Sequence, residues 1–335
     1  MTDYYANAIR GNPGISYRDY IIDSSLTYTI PDGGCKVTAQ YSNGAGWSTV
    51  SQSLLQNIKT NRLREVTTLT PPEDSGSGPI TVKARINVDF DTSDTRPNFS
   101  IGMVGLLGFN FTTTHHQPLR INIIIESGDI GDLDTHTFVY IIPNQKGDWA
   151  RNKRFSINNY LIPTLWDNKP IKKVRKVTIE FDVGNIVLSV GRLWVGNFMP
   201  VCFDSDWSIT LDNPSKINYS SGLDAHVVEQ RRRRRGSFPI SDIKDEDVHP
   251  SEQGMFSSTG FVNFSDMQLQ TGKDYPLIVA HRYPFEGSLT DNPDGAPDAI
   301  TPNIYALFGL MSKDMSIQHV NGPLYQTQID VVELI

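Results

Sequence analysis

The stretch Val174 to Gly196, VRKVTIEFDVGNIVLSVGRLWVG, changes its apolar period halfway along. In its first half Val177, Ile179, Phe181 and Val183 alternate with Thr178, Glu180 and Asp182. A period of two puts the first set on one face of a strand and turns the second toward water. Gly184-Asn185 separates this strand from a second run, Ile186 to Val195. Gly-Asn tolerates positive φ at both centres of a tight turn, so the pattern predicts a hairpin joining the two. The second run is apolar at nearly every position, which predicts a strand covered on both faces. Together these features predict an all-β fold of the sandwich type.

The totals agree. A chain of 335 residues suffices for two domains or one large one. With 26 glycines, 20 prolines and few helical periodicities, many short strands joined by turns are expected. A net charge of −7 supplies no global basic field, so no nucleic-acid partner is expected. Only two cysteines occur, Cys35 and Cys202, which excludes a disulfide scaffold and predicts synthesis in a reduced compartment. Their spacing leaves open whether they meet. The opening MTDYYANAIRG lacks the apolar segment of a signal peptide. No apolar run approaches the roughly 20 residues of a membrane span, so a soluble chain without a membrane partner is expected.

Ser25 to Ile30 reads as a short strand closed by Pro31-Asp32-Gly33-Gly34, and Gln52 to Leu63 suits a short helix. Pro71 to Pro79 is a loop by composition. Ile80 to Phe90 alternates strictly, apolar on even numbers, as a half-buried strand does. Ile101 to Phe109, IGMVGLLGF, reads as a buried strand where neighbouring backbones come close. Strands are predicted around Ile121 to Ile125, Thr137 to Ile142, Arg154 to Tyr160 and Tyr275 to Ala280. Ser265-Asp266-Met267-Gln268 has capping-box spacing and predicts a short helix. Tyr305 to Met311 and Tyr325 to Leu334 read as a closing antiparallel pair.

The order of these segments carries a resemblance. Asn57, Arg62 and Val66 come first, then the strand to Asp89, then Gly102 to Phe111. The Ile121 strand and Val187 to Gly196 follow. This succession resembles the discoidin-type, galactose-binding-like jelly roll carried by tail-tip and baseplate proteins of tailed bacteriophages. In that family the domain closes with an apolar strand ending in a segment such as Gly191-Arg192-Leu193-Trp194-Val195-Gly196. The resemblance continues through Arg231 to Ile240, Gly272 to Val279 and a final pair ending at Glu333. It covers most of the chain outside the first 50 residues. It implies a jelly-roll or β-sandwich domain over residues 1–200. A smaller β-rich domain with one or two short helices would occupy 201–335. It further implies a virion structural protein of a tail tip or baseplate, made in the host cytoplasm. Such a protein contacts other tail or baseplate proteins and works as a homo-oligomer. The alternative function is a carbohydrate-binding module for host-surface glycans.

The five arginines Arg231 to Arg235 are the most unusual local feature. On a strand, Arg231, Arg233 and Arg235 share one side, as candidates for subunit contact or for an internal ion network. Acidic residues lie near in sequence at Glu229, Asp242, Asp245, Glu246 and Asp247. Trp47, Trp149, Trp166 and Trp207 sit in polar, loop-like stretches and are candidate sugar platforms, each set against plain packing on the sandwich. Trp194 is expected in the core. His115-His116 point opposite ways on a strand and do not readily share one metal. Asp291 to Asp298, like Asp129, Asp132 and Asp134, read as plain loops rather than calcium ligands. No nucleophile elbow, His-Glu-x-x-His or phosphate loop occurs, so no catalytic residue, metal or cofactor is expected.

Overall fold

The computed structural model describes residues 13–21, 35–42, 46–50, 55, 57–58, 67–69, 83–90, 101–112, 119–129, 132–142, 160–163, 165–166, 169–182, 187–213, 215–219, 225–228, 232–248, 264–271, 275–281 and 306–334. Strands in chain order are β1 (Gly14–Ser16), β2 (Cys35–Ser42), β3 (Trp47–Thr49), β4 (Thr67–Leu69), β5 (Lys83–Phe90) and β6 (Met103–Leu107). Next come β7 (Asn110–Thr112), β8 (Leu119–Asp129), β9 (Asp132–Ile142), β10 (Tyr160–Pro163), β11 (Leu165–Trp166) and β12 (Lys169–Pro170). The chain continues through β13 (Val174–Asp182), β14 (Val187–Val190), β15 (Arg192–Gly196), β16 (Met199–Pro200), β17 (Ser208–Asp212) and β18 (Lys216–Tyr219). It ends with β19 (Ala225–Val228), β20 (Arg233–Lys244), β21 (Pro276–Ala280), β22 (Ala306–Met311), β23 (Gln318–Asn321) and β24 (Leu324–Glu333). Two short helices, α1 (Asp245–Val248) and α2 (Phe264–Gln270), lie between β20 and β21. The protein is all-β in several antiparallel sheets.

A six-stranded sheet runs β3-β2-β5-β13-β8-β9. Its alternation follows the sequence: Val37, Ala39, Ile86, Val88, Ile123, Ile179 and Phe181 are buried on one face. That face packs on Val104, Leu106, Leu188, Val190, Leu193 and Val195. These come from two three-stranded sheets, β10-β6-β15 and β4-β14-β7. The other face of β6 and β15 carries Met103, Leu107 and Trp194, which pack with Phe198 against Ile278, Ala306 and Phe308. Those last residues belong to an eight-stranded sheet, β16-β1-β21-β22-β24-β20-β17, with β23 paired to β24. Its far face, with Leu277, Val279, Leu307 and Ile329, is covered by Val248, Phe264 and Met267 of the two helices. The middle layer is thus apolar on both faces, which is why β15 is buried at every position.

The hairpin expected at Gly184-Asn185 does not form. β13 pairs with β5 on one edge, from Lys176↔Asp89 to Asp182↔Lys83. On the other edge it pairs with β8, from Val174↔Ser127 to Asp182↔Arg120. Both hydrogen-bonding edges are occupied, so β14 has no place beside β13. Instead β14 joins β4 and β7, and the chain crosses from one layer to the next. Residues 183–186 themselves lie outside the described residues.

The boundary expected after residue 200 falls at β16. β16 and the N-terminal β1 both lie in the eight-stranded sheet, with β1 between β16 and β21. Helix α2 occurs where the capping box predicts one, but by another arrangement. Ser265 Oγ donates to Val248 O, and Gln268 Nε2 donates to Met315 O at 3.0 Å. Cys35 is buried, with its Sγ 3.8 Å from Tyr20 O, and Cys202 is exposed; the two are not joined in a disulfide. Of the helix expected over Gln52 to Leu63, Leu55, Asn57 and Ile58 are described, in 3₁₀ conformation with Leu55 and Ile58 fully buried. The strand expected at Ser25 to Ile30 lies outside the described residues.

Candidate functional site

The arginine run begins β20, which lies between β24 and the edge strand β17 of the eight-stranded sheet. β20 pairs with β17 through Asp212↔Arg233, Leu211↔Arg234 and Thr210↔Arg235. Strand alternation puts Arg233 and Arg235 on one side, as expected, and both reach Asp212 Oδ2, at 3.3 and 3.1 Å. Their side chains are 39% and 52% exposed. Arg231 lies outside the described residues. Arg234 points the other way and is 12% exposed. Its Nε donates to Glu333 Oε1 at 3.0 Å, its backbone N–H to Glu333 Oε2 at 3.0 Å, and its Nη2 to Ala306 O at 3.1 Å. The internal network therefore exists, but its acids are Asp212 and Glu333. Of the acids near in sequence, Asp242 lies in the bulge between Ile240 and Ile243, and Asp245 and Asp247 lie beyond it in α1, at the far end of β20. Arg234, which the alternation argument passed over, is the best-held of the three.

The same edge carries other unusual features. Among the described residues β17 pairs with β20 alone. Trp207, just before it, is 38% exposed and Leu211 on it is 47% exposed. The Trp207 ring packs against His281, with centroids 4.6 Å apart, and against Phe238 at 6.3 Å. Directly after β17 the chain forms the hairpin β18–β19, in register from Lys216↔Val228 to Tyr219↔Ala225. No other described strand pairs with that hairpin.

Trp47 occupies a different place. It lies on β3, the short edge strand of the six-stranded sheet, opposite Ser42. The outer face of this sheet is polar and half-buried. Arg85 Cζ lies 3.8 Å from the Trp47 ring centroid, and Arg85 Nε donates to Gln40 Oε1 at 2.7 Å. Gln40 Oε1 also accepts from Asn87 Nδ2 at 3.2 Å, and Asn87 Oδ1 accepts from Thr178 Oγ1 at 3.1 Å. Trp166 lies on β11, paired with β12, and Trp149 lies outside the described residues. Trp47 and Trp207 do not share a platform: each has its own neighbours beside a different sheet. Trp194 is fully buried, its Nε1 donating to Ser16 Oγ at 2.8 Å.

One ion pair escaped the sequence reading. Arg192 Nη2 lies 2.7 Å from Asp19 Oδ2, with both side chains almost wholly buried. Asp19 Oδ1 accepts from Ile21 N at 3.1 Å and Val195 N at 3.3 Å. Burial pushes the Asp19 carboxyl above its usual range, and Arg192 with the two amides opposes that push. The Arg192 guanidinium also lies 5.3 Å from the Trp194 ring and 5.2 Å from that of Phe308. Asn197 Oδ1 accepts from Tyr17 N and Arg18 N, both at 3.0 Å. These bonds strap residues 16–21 across β15.

The remaining candidates are sparse. A cavity of about 180 Å³ lies between β16, the β20 bulge and α2, lined by Val201, Cys202, Ser241, Asp242 and Phe264 among others. Asp132 and Asp134 are exposed at the β8–β9 hairpin. Among the described residues no group of three or more His, Cys, Asp or Glu side chains could hold a metal ion. His115-His116 and Asp291 to Asp298 lie outside the described residues. Among the described residues no helix is long and apolar enough to cross a membrane. Comparison with family models, curated proteins and solved structures returned no match.

Proposed function

We propose that this chain is a structural subunit of a larger assembly, of the tail-tip or baseplate kind that the order of its motifs resembles. The observation that carries the reading is the β17 edge together with the β18–β19 hairpin that follows it in the chain. A two-stranded hairpin is marginal in water without a surface to pack on. A sheet edge with free backbone donors and acceptors invites pairing with another chain. Leu211 and Trp207 add apolar area there, and Arg233 and Arg235 add exposed cations held in place by Asp212. The mechanism is burial of this edge and arm against another copy or a neighbouring subunit. Light scattering on the full chain, with electron microscopy of the particle that carries it, tests this. An oligomer, or density for the chain in a tail, supports the reading. A chain that stays monomeric at high concentration and is absent from any particle refutes it.

A second reading, recognition of a glycan, has its own supporting observation in Trp47 beside Arg85. Sugar sites combine an aromatic face with a few fixed polar groups, and this patch has both. The two readings concern different sheets and are compatible in one protein.

A further inference from the structure

We propose that the outer face of the six-stranded sheet at Trp47 and Arg85 binds an acidic saccharide, one whose carboxylate meets the Arg85 guanidinium. The proposal rests on the glycan reading and narrows it to a charged class of ligand.

Three observations carry it. The first is that Arg85 is fixed. Its Nε is bonded to Gln40 Oε1 at 2.7 Å and its guanidinium lies over the Trp47 indole at 3.8 Å. Gln40 is in turn held by Asn87 through Oε1 and by Thr49, 3.5 Å from its Nε2. Asn87 is held by Thr178. A long flexible side chain normally loses rotamer freedom when it binds; here that loss is already taken on folding.

The second is what Arg85 leaves unused. Among the described residues its Nη1 and Nη2 donors meet no partner. A guanidinium anchored through Nε presents these two donors as a fork, the geometry that a carboxylate accepts in a bidentate manner. The nearest cross-strand acid does not fill it. Glu180 stands opposite Arg85 in the β13–β5 register, but its Oε1 is bonded to Lys83 Nζ at 3.1 Å.

The third is room. Trp47 is at a sheet edge, and a methyl group built on the adjacent Gly46 would meet nothing within 4 Å among the described residues. Arg85 covers one face of the indole, so a pyranose ring would meet the indole at its edge or other face and extend its carboxylate to the guanidinium fork. A neutral sugar could stack there but would leave the fork unmet, and a free anion would leave the indole unmet. A sugar that carries a carboxylate satisfies both.

The test is calorimetric titration of the full chain with a galacturonate oligomer, a galactose oligomer of equal length, and acetate. Two variants accompany the wild type. Arg85→Lys keeps the charge and removes the fork. Gln40→Glu keeps an acceptor for Arg85 Nε and Asn87 Nδ2 and sets a negative charge at Nε that offsets the guanidinium charge offered to the ligand's carboxylate. Circular dichroism establishes that each is folded. The expected result is that galacturonate binds at least about tenfold more tightly than the other two, with that advantage lost in both variants. Equal binding of the neutral oligomer, untouched by either variant, overturns the anionic assignment and leaves glycan recognition standing. Acetate binding as tightly as the oligomer overturns the saccharide. No binding of either oligomer at millimolar concentration overturns the proposal and the glycan reading together.

Discussion

Single residues in this protein differ sharply in how much depends on them. Asp19 and Arg192 are buried together, and removing either leaves the other charge without its counter-ion in an apolar layer. Breaking a buried pair in this way typically costs about 3–5 kcal/mol. Asp19→Ala is therefore expected to lower the unfolding free energy of the chain, read from urea titration, by that order, whereas Lys313→Ala is expected to change it little. Lys313 also pairs with a carboxylate, Asp330, at 3.1 Å, but its side chain is 75% exposed. Tyr41 is the reverse case. Its hydroxyl is buried with no hydrogen-bond partner among the described residues, and burial holds its phenol well above the ordinary 10.0. The folded state resists ionising this group more than the unfolded state does. The contribution is intact below the unfolded value and is lost as pH rises past it toward the folded one. Tyr41→Phe is expected to flatten the alkaline loss of stability. At neutral pH it should be neutral or stabilising by up to about 1 kcal/mol, because an unpaired hydroxyl is removed. Urea unfolding at neutral pH and above the ordinary tyrosine value checks both signs.

Among the elements, β15 shows how a sequence signal can be correct for a reason the sequence hides. Gly196 ends the GRLWVG segment, and a Cβ there would lie 2.2 Å from Arg18 O and 2.5 Å from Trp194 Nε1. Only a glycine lets the strap of residues 16–21 lie against the strand. Gly196→Ala is expected to cost about 1–3 kcal/mol as an overpacking change, visible as a lowered midpoint in thermal unfolding. Strand identity was legible along much of the chain because burial on one face writes a period of two, as in β2, β5 and β13. Double cover of β15 was legible because its polar positions disappear. Strand partners were not. Gly184-Asn185 is a sound local turn signal, yet β13 takes partners about ninety residues before it and about fifty residues before it, and alternation does not record which strand sits alongside. The site was hidden for the same reason. Trp47 was visible as an aromatic in a polar stretch, but Arg85 and Gln40 join it only through the β2–β3 and β2–β5 registers. The acids that meet the arginine run, Asp212 and Glu333, are likewise 21 and 99 residues away from their partners Arg233 and Arg234.

For the whole molecule, the stacking of layers bears on how the chain unfolds. Residues 1–200 contain the six-stranded sheet and the middle layer, and residues 201–335 contain most of the eight-stranded sheet. Two features tie them. β1 and β16 complete the eight-stranded sheet from the N-terminal side. Phe308 of β22 packs edge-on to Trp194 at 6.0 Å and lies beside the buried Arg192. If the layers were joined only by a linker, each would unfold in its own transition. With a shared apolar layer between them, exposing one half strips cover from the other, and the chain is expected to unfold in one cooperative calorimetric transition. Phe308→Ala sharpens the test. Deleting a buried aromatic costs about 3–5 kcal/mol, and in a coupled molecule that loss moves the single transition as a unit. Two resolved transitions, of which only one shifts in the variant, would instead mean that the sheets are energetically separate and that the Phe308–Trp194 contact carries no coupling. The same logic extends to fragments. Residues 201–335 expressed alone lack β1, β16 and Trp194, so they present Ile278 and Phe308 to water and are expected to aggregate rather than fold.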